Sequence, residues 1–274
     1  MSYKMIVLDL DDTLLRDDHS ISARTKDALM KAQENGVKVV LASGRPTFGM
    51  LPIADELSLA EYGSFILSFN GGKIINYATK EELFNSTLPL TAVKNLYELS
   101  QREGVYIHTY VGNEIIAEEG NQYTSIESKL TKLPIKLVNS FVEGVQEEVV
   151  KVLMVGDPDK MKAVEAKLQK ELAEEFSVMR SKPFFLEFTE KGVTKGTSLN
   201  HLIQKCGIKQ EEVIAIGDSY NDQEMIEFAG LGVAMGNAPD DIKAIANHVT
   251  DTNMNDGVAK VVEEFVLRGL VISK

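Results

Sequence analysis

Residues 4–13 read KMIVLDLDDT, and this stretch decides the fold. Lys4–Leu10 is apolar at both alternating sets of positions, so it predicts a strand buried on both faces. Strands of that kind belong to parallel sheets covered by helices. Working outward, Ser22–Asn35 predicts a helix with Thr25, Ala28, Leu29 and Ala32 on one stripe and Gly36 as its stop. Val37–Ala42 predicts a second strand and Ser64–Phe69 a third. The alternation resumes near Thr194 with a helix, then a strand at Glu212–Ile216, a helix at Tyr220–Phe228 and a strand at Gly230–Ala234. Strand–helix–strand repetition predicts the α/β class, a parallel sheet with helices on both faces.

The middle of the chain reads differently. Two helices, Leu90–Arg102 and Pro158–Glu175, are surrounded by strand-like runs at Val105–Tyr110, Glu114–Ala117, Val149–Val155, Ser177–Met179 and Phe184–Phe188. The expected organisation is a core of residues 1–84 and 190–274 with an inserted α+β domain at 85–189.

The chain has 274 residues, 44% hydrophobic, enough for a sizeable core. Its formal net charge of −12 argues against nucleic acid or a membrane surface as a partner. A site for a phosphorylated substrate would need a local cation to reverse that field. The single cysteine, Cys206, excludes an internal disulfide and fits the inner stripe of a helix with Leu199, Leu202 and Ile203. No apolar run reaches the ~20 residues of a membrane helix. The acidic N-terminal stretch is unlike a signal peptide, so a cytoplasmic location is expected. The sequence carries no signal of oligomeric state.

Asp9-Leu10-Asp11-Asp12-Thr13 follows the first strand. Ser43-Gly44-Arg45 follows the second, and Gly217-Asp218-Ser219-Tyr220-Asn221-Asp222 follows EVIAI. In parallel sheets such turns share one edge, so they can converge. Lys195 opens a helix close to the last turn in the chain. Phosphoryl transfer needs this set. A carboxylate can attack phosphorus and carry the phosphoryl group. A divalent cation must offset the repulsion between them, and Mg²⁺ suits oxygen ligands such as Asp9 and Asp218. Asp11, two residues on in an extended stretch, points to the same side and can serve as general acid and base. Lys195 and the Ser43 hydroxyl can bind phosphoryl oxygens.

Taken singly, each element has a plainer reading: a solvated acidic turn, a helix start, a surface lysine, an N-cap. Their joint occurrence at strand ends favours the chemical one. An EF-hand does not fit Asp9–Ser20, where the sixth position is Leu14 and the twelfth Ser20.

These stretches, with FNGG, KGVTKGTSL and VAMGNA, resemble the haloacid dehalogenase superfamily. The arrangement is similar to its Cof-type sugar phosphatases with a large inserted cap. The resemblance spans the chain and implies a Rossmann-like core. It implies Asp9 as nucleophile and metal ligand, Asp11 as acid/base and backbone metal ligand, and Asp218 as the remaining protein ligand to Mg²⁺. It places Leu10, Ser43, Gly44, Lys195 and Asn221 at the phosphate, with Thr13 and Asp222 in support. Asn70 and Gly71 match a loop at the site's mouth, where Arg45 also falls. Asp12 stands where many relatives have glycine, and Gln223 where an aliphatic residue is common.

The resemblance implies hydrolysis of small phosphorylated metabolites, with the inserted domain deciding which. Arg180 and Glu187, in a basic and aromatic segment near the return to the core, are candidate substrate contacts. His108 and Tyr110 alternate with Ile107 along one strand, facing either the substrate or solvent. His19 and His201 have no identifiable partner. Two other readings stand beside hydrolysis: phosphosugar mutase-type transfer, and a receiver-like signalling domain. A receiver, by resemblance, is much shorter and lacks the insertion.

Overall fold

The computed structural model describes residues 3–268, and the chain divides into two compact units. One runs to Phe84 and resumes at Thr194; the other is Asn85–Val193. The return therefore falls at Thr194 rather than at residue 190. The turn after the last strand of the second unit stays with it, because the Gly192 N–H donates to Ser177 Oγ at 3.3 Å.

In the first unit the strands are β1 (Met5–Leu8), β2 (Lys38–Ala42), β3 (Phe65–Ser68), β4 (Lys73–Asn76) and β5 (Glu82–Asn85). The second unit holds β6 (Tyr106–Val111), β7 (Glu114–Ala117), β8 (Ile135–Leu137), β9 (Val152–Val155), β10 (Phe176–Lys182) and β11 (Phe185–Glu190). The first unit closes with β12 (Val213–Gly217), β13 (Leu231–Ala234) and β14 (His248–Val249).

The first sheet has the order β14-β13-β12-β1-β2-β3-β4-β5. From β14 to β3 every pairing is parallel, and β4 turns antiparallel against β3. The period of two explains its burial on both faces. Ile6, Leu8, Val39 and Leu41 pack with Ala28, Leu29 and Ala32 of helix Ala23–Glu34 and with the C-terminal segment. Met5, Val7, Val40 and Ala42 pack the other way, against Leu199, Leu202, Ile203 and Met225. Cys206 is half-buried beside this second cluster, not fully inside it, and burial raises its thiol pKa. None of the described helices is long and apolar enough to cross a membrane.

The second unit is a sheet of order β10-β11-β9-β6-β7-β8. Helices Leu90–Glu103 and Pro158–Leu172 pack on the face formed by Ile107, Ile116, Val152, Met154, Leu186 and Phe188. The opposite face carries His108, Tyr110 and Glu187, all buried. Helix Gln122–Thr131, which the sequence reading missed, reaches it: Thr124 Oγ1 lies 3.1 Å from His108 Nδ1, and the Tyr110 hydroxyl donates to Glu127. So His108 and Tyr110 form an interior polar layer and do not face solvent. Burial pushes the His108 imidazole down to about 3 and holds it neutral. Beside it, Lys151 Nζ pairs with Glu187 Oε1 at 3.0 Å, and Ser181 Oγ donates to the same oxygen at 2.6 Å.

A buried ion pair contributes little net stability, but removing one partner strands the other. Lys151→Met should therefore destabilise the protein by about 3–5 kcal/mol in urea unfolding, and adding Glu187→Leu should recover most of that loss.

Candidate active site

β1, β2, β3 and β12 run parallel, so the turns after them share one edge of the sheet. Those turns begin at Asp9, Ser43, Phe69 and Asp218. Helix Lys195–Cys206 starts at the same place. Thr194 caps it: its Oγ1 accepts from Thr197 N–H at 3.1 Å, and Thr197 Oγ1 accepts from Thr194 N–H at 3.0 Å. That cap puts Lys195 at the first helical position, where the helix dipole disfavours a cation. Tertiary pairing overrides the dipole. Lys195 is 0% exposed, and its Nζ donates to Asp9 Oδ1 at 2.5 Å and to Asp222 Oδ1 at 2.6 Å.

Asp222 is fully engaged. Its Oδ2 accepts the main-chain N–H groups of Asp218 and Ser219, both at 3.0 Å. A Cβ on Gly217 would lie 2.5 Å from the Asp222 side chain, so only glycine permits this approach. Asp218 is fixed in turn, its Oδ1 accepting from Thr13 Oγ1 at 2.7 Å. The structure thus joins Asp9, Thr13, Lys195, Asp218 and Asp222 in one hydrogen-bonded set drawn from three distant stretches of chain.

Asp11 is placed differently. Residues 10–14 form a wide helical turn, with Asp11 extended and Asp12 at φ 61°, and not a simple extended stretch. The Asp11 carboxylate points to Arg45, which donates from Nε at 2.9 Å and from Nη2 at 2.5 Å. Arg45, expected at the substrate mouth, is the bidentate partner of Asp11. Leu10 has its side chain in the hydrophobic core, so any phosphate contact there belongs to its main chain.

The third loop braces the second. Phe69 N–H donates to Arg45 O at 3.0 Å and Asn70 N–H to Ser43 O at 2.9 Å. Phe69, Asn70 and Gly71 have positive φ in succession. Asn70 Oδ1 accepts from Asn221 Nδ2 at 3.0 Å, which ties this loop to the β12 loop. A Cβ on Gly44 would stand 3.2 Å from the Asn70 amide, tight enough to favour glycine. The Ser43 side chain is buried and accepts from Arg45 N–H at 3.1 Å. Sequence reasoning missed this bracing, and it missed Asn237, whose Nδ2 donates to Asp12 O at 2.8 Å. A polar residue after the β13 strand end, within VAMGNA, was the available signal.

Arg180 and Glu187 lie in the second unit and have partners there. Arg180 Nε donates to Glu165 Oε2 at 2.9 Å, on the face that carries helix Pro158–Leu172, because Arg180 pairs in register with Leu186. Glu187 belongs to the interior polar layer described above.

The first unit's cluster is rich in acid. Asp9, Asp218 and Asp222 each offer an oxygen within 4.8 Å of the others. Burial, then the Asp222 charge, raises the Asp9 carboxyl well above its ordinary value, and Lys195 opposes the shift. Burial pushes Asp218 up to about 7 against its Thr13 hydrogen bond. Oxygen donors in this arrangement fit a hard divalent cation. Asp222 is spent on Lys195 and two N–H groups, so Asp9 and Asp218 are the carboxylates left to hold one.

Asp218 ionises near 3.8 when unfolded and about 7 when folded, so the cation-free protein loses stability as pH rises across that window. A bound cation requires the ionised form and removes the penalty. Mg²⁺ should raise Tm more at pH 7.5 than at pH 5 in differential scanning fluorimetry. An equal rise at both would contradict the assignment.

The family description matching residues 6–262 is that of haloacid dehalogenase-like hydrolases. A solved haloacid dehalogenase-like hydrolase of Bacteroides thetaiotaomicron is 46% identical, with TM-score 0.90 over 96% of this chain and 99% of that one. A 5-amino-6-(5-phospho-D-ribitylamino)uracil phosphatase of Bacillus subtilis is 32% identical over 268 residues, covering 96% of each chain. A solved sugar phosphatase of the superfamily's subclass IIB is 28% identical, with TM-score 0.80 over 96% of this chain and 98% of its own. This chain belongs to the haloacid dehalogenase-like hydrolase family, as an enzyme of the phosphatase class.

Proposed function

We propose that the enzyme hydrolyses small phosphomonoesters, sugar phosphates foremost, through a phosphorylated Asp9, with Mg²⁺ as its cofactor. The observation that carries this reading is the buried Lys195 ammonium held between Asp9 and Asp222, with Asp218 alongside. An ammonium has three donors, and two are committed to carboxylates, so one remains for a phosphoryl oxygen.

In the first step an Asp9 oxygen attacks phosphorus. The bond from phosphorus to the ester oxygen breaks, and Asp11 delivers a proton to that oxygen. In the second, water attacks the phosphoaspartate and Asp11 takes its proton. The bond between phosphorus and the Asp9 oxygen breaks, and inorganic phosphate departs with Asp9 regenerated. Mg²⁺, held by Asp9, Asp218 and the Asp11 carbonyl, would supply positive charge against the repulsion between carboxylate and phosphate. Asp222 orients Lys195 and fixes the Asp218 main chain. Ser43 and Asn221 are the proposed further donors to phosphate. The Arg45 pair sets a condition on the cycle: Asp11 must exchange that partner before it can transfer a proton.

The sugar-phosphate preference draws support from the sugar phosphatase and the ribitylaminouracil phosphatase among the similar proteins. The inserted unit, with a core of its own, is the proposed determinant of substrate choice.

Asp9→Asn should fold and lose ~10³-fold or more of its turnover of p-nitrophenyl phosphate with Mg²⁺, and retained activity removes Asp9 as nucleophile. Asp11→Asn should lower kcat by about 10²–10⁴ on the same substrate. Arg45→Ala should change kcat far less, because it releases Asp11 instead of removing it. Equal losses in the two variants would place Arg45 in the chemistry itself.

A further inference from the structure

The Asp9–Leu15 turn carries the nucleophile, the acid/base and a proposed main-chain metal ligand, yet its conformation is not one its own residues favour. Asp12 sits at φ 61°, in the left-handed region that suits glycine. Two internal hydrogen bonds close the turn, Leu14 N–H to Asp9 O at 3.3 Å and Leu15 N–H to Leu10 O at 2.8 Å. The first of these is long. Something outside the turn must hold it.

Two asparagines do so from the far end of the chain. Asn237 Nδ2 donates to Asp12 O at 2.8 Å. Asn237 Oδ1 accepts from the Asn253 main-chain N–H at 3.1 Å. Asn253 Nδ2 donates to Leu15 O at 3.0 Å, and its side chain is buried. The carbonyls of Asp12 and Leu15 are therefore gripped by one continuous relay. A carboxamide suits it, because Asn237 must donate and accept at once.

The relay is anchored. Met235 N–H donates to Gly217 O at 3.0 Å, and Gly236 N–H to Asp251 O at 3.1 Å. Lys260 Nζ holds Asp251 Oδ2 at 2.6 Å, and Thr250 Oγ1 donates to Gly257 O at 2.8 Å. The grip thus refers the turn to β12, the strand that delivers Asp218. The β1–β12 pairing and the Thr13–Asp218 hydrogen bond already join the two loops, and the relay adds a hold on the carbonyls of Asp12 and Leu15.

We propose that Asn237 and Asn253 are positioning residues that tune the affinity of the metal site by fixing the Asp9–Leu15 turn. Neither touches the reacting atoms. The proposal rests on the metal-dependent reading above and adds to it a role for the VAMGNA stretch. Groups that orient metal ligands typically carry 10–100-fold in affinity.

The test uses the full chain as wild type, Asn237→Ala, Asn253→Ala and the double variant. Circular dichroism and Tm establish folding, and Asn237→Ser replaces Asn237→Ala if the latter does not fold. Isothermal titration with Mg²⁺, without substrate, reads affinity directly. The expected result is about a tenfold weaker Mg²⁺ dissociation constant in each single variant. The double variant should lose less than the product of the two, because the residues act as one relay. At saturating Mg²⁺, KM for p-nitrophenyl phosphate should stay within about twofold and kcat should largely recover. Folded variants that bind Mg²⁺ like wild type overturn the proposal, as does a loss of kcat that saturating Mg²⁺ does not restore. Wild-type protein that binds no Mg²⁺ overturns the metal-dependent reading itself, which is a different result.

Discussion

A lysine ammonium with no access to water is the constraint around which the first unit is organised. Lys195 would be costly to bury alone, because the desolvation of an ion is recovered only by close opposite charge and filled hydrogen bonds. Asp9 and Asp222 provide both. Their positions then dictate much else. Asp9 must leave the end of β1, Asp222 must follow β12, and the helix from Lys195 must start beside them. Gly217 has no side chain because Asp222 needs its space. Asp222 holds the β12 loop by accepting two of its N–H groups, which fixes Asp218.

The chain is acidic as a whole, and its candidate site gathers more carboxylates than the cations there can balance. Lys195 and Arg45 are each already paired with acids. An excess of this kind is unfavourable in a cation-free fold: burial first, and neighbouring carboxylates after it, hold the Asp9 and Asp218 pKa values up. It is the condition under which a divalent ion binds well.

Legibility in the sequence was uneven, and the unevenness has a physical pattern. The strands of the parallel sheet were readable because burial on both faces leaves a continuous apolar signal. Helix Ala23–Glu34 was readable from its stripe and its Gly36 stop. Helix Gln122–Thr131 was not, since it covers a polar layer with Thr124 and Glu127 and so lacks an apolar stripe. His108 and Tyr110 were misread for the same reason: alternation normally marks a wet face, and here both faces are dry. Lys195 alone would have been assigned to the surface, as lysines at helix starts generally are. Asp11 was expected to point to the same side as Asp9, and what it meets there, the Arg45 guanidinium, comes from a loop 34 residues away.

The sequence by itself determined the α/β class, the presence of an inserted stretch and the edge of the sheet on which the acidic and polar turns emerge. Those properties are local: hydrophobic period, turn residues and the ends of strands are written in neighbouring positions. Only the tertiary structure decided which side chain meets which. That Asp11 pairs with Arg45, that Asn70 pairs with Asn221, and that Asn237 reaches back to Asp12 depend on partners far apart in sequence. Packing brings such groups within hydrogen-bond distance, and no local pattern encodes the distance between two loops.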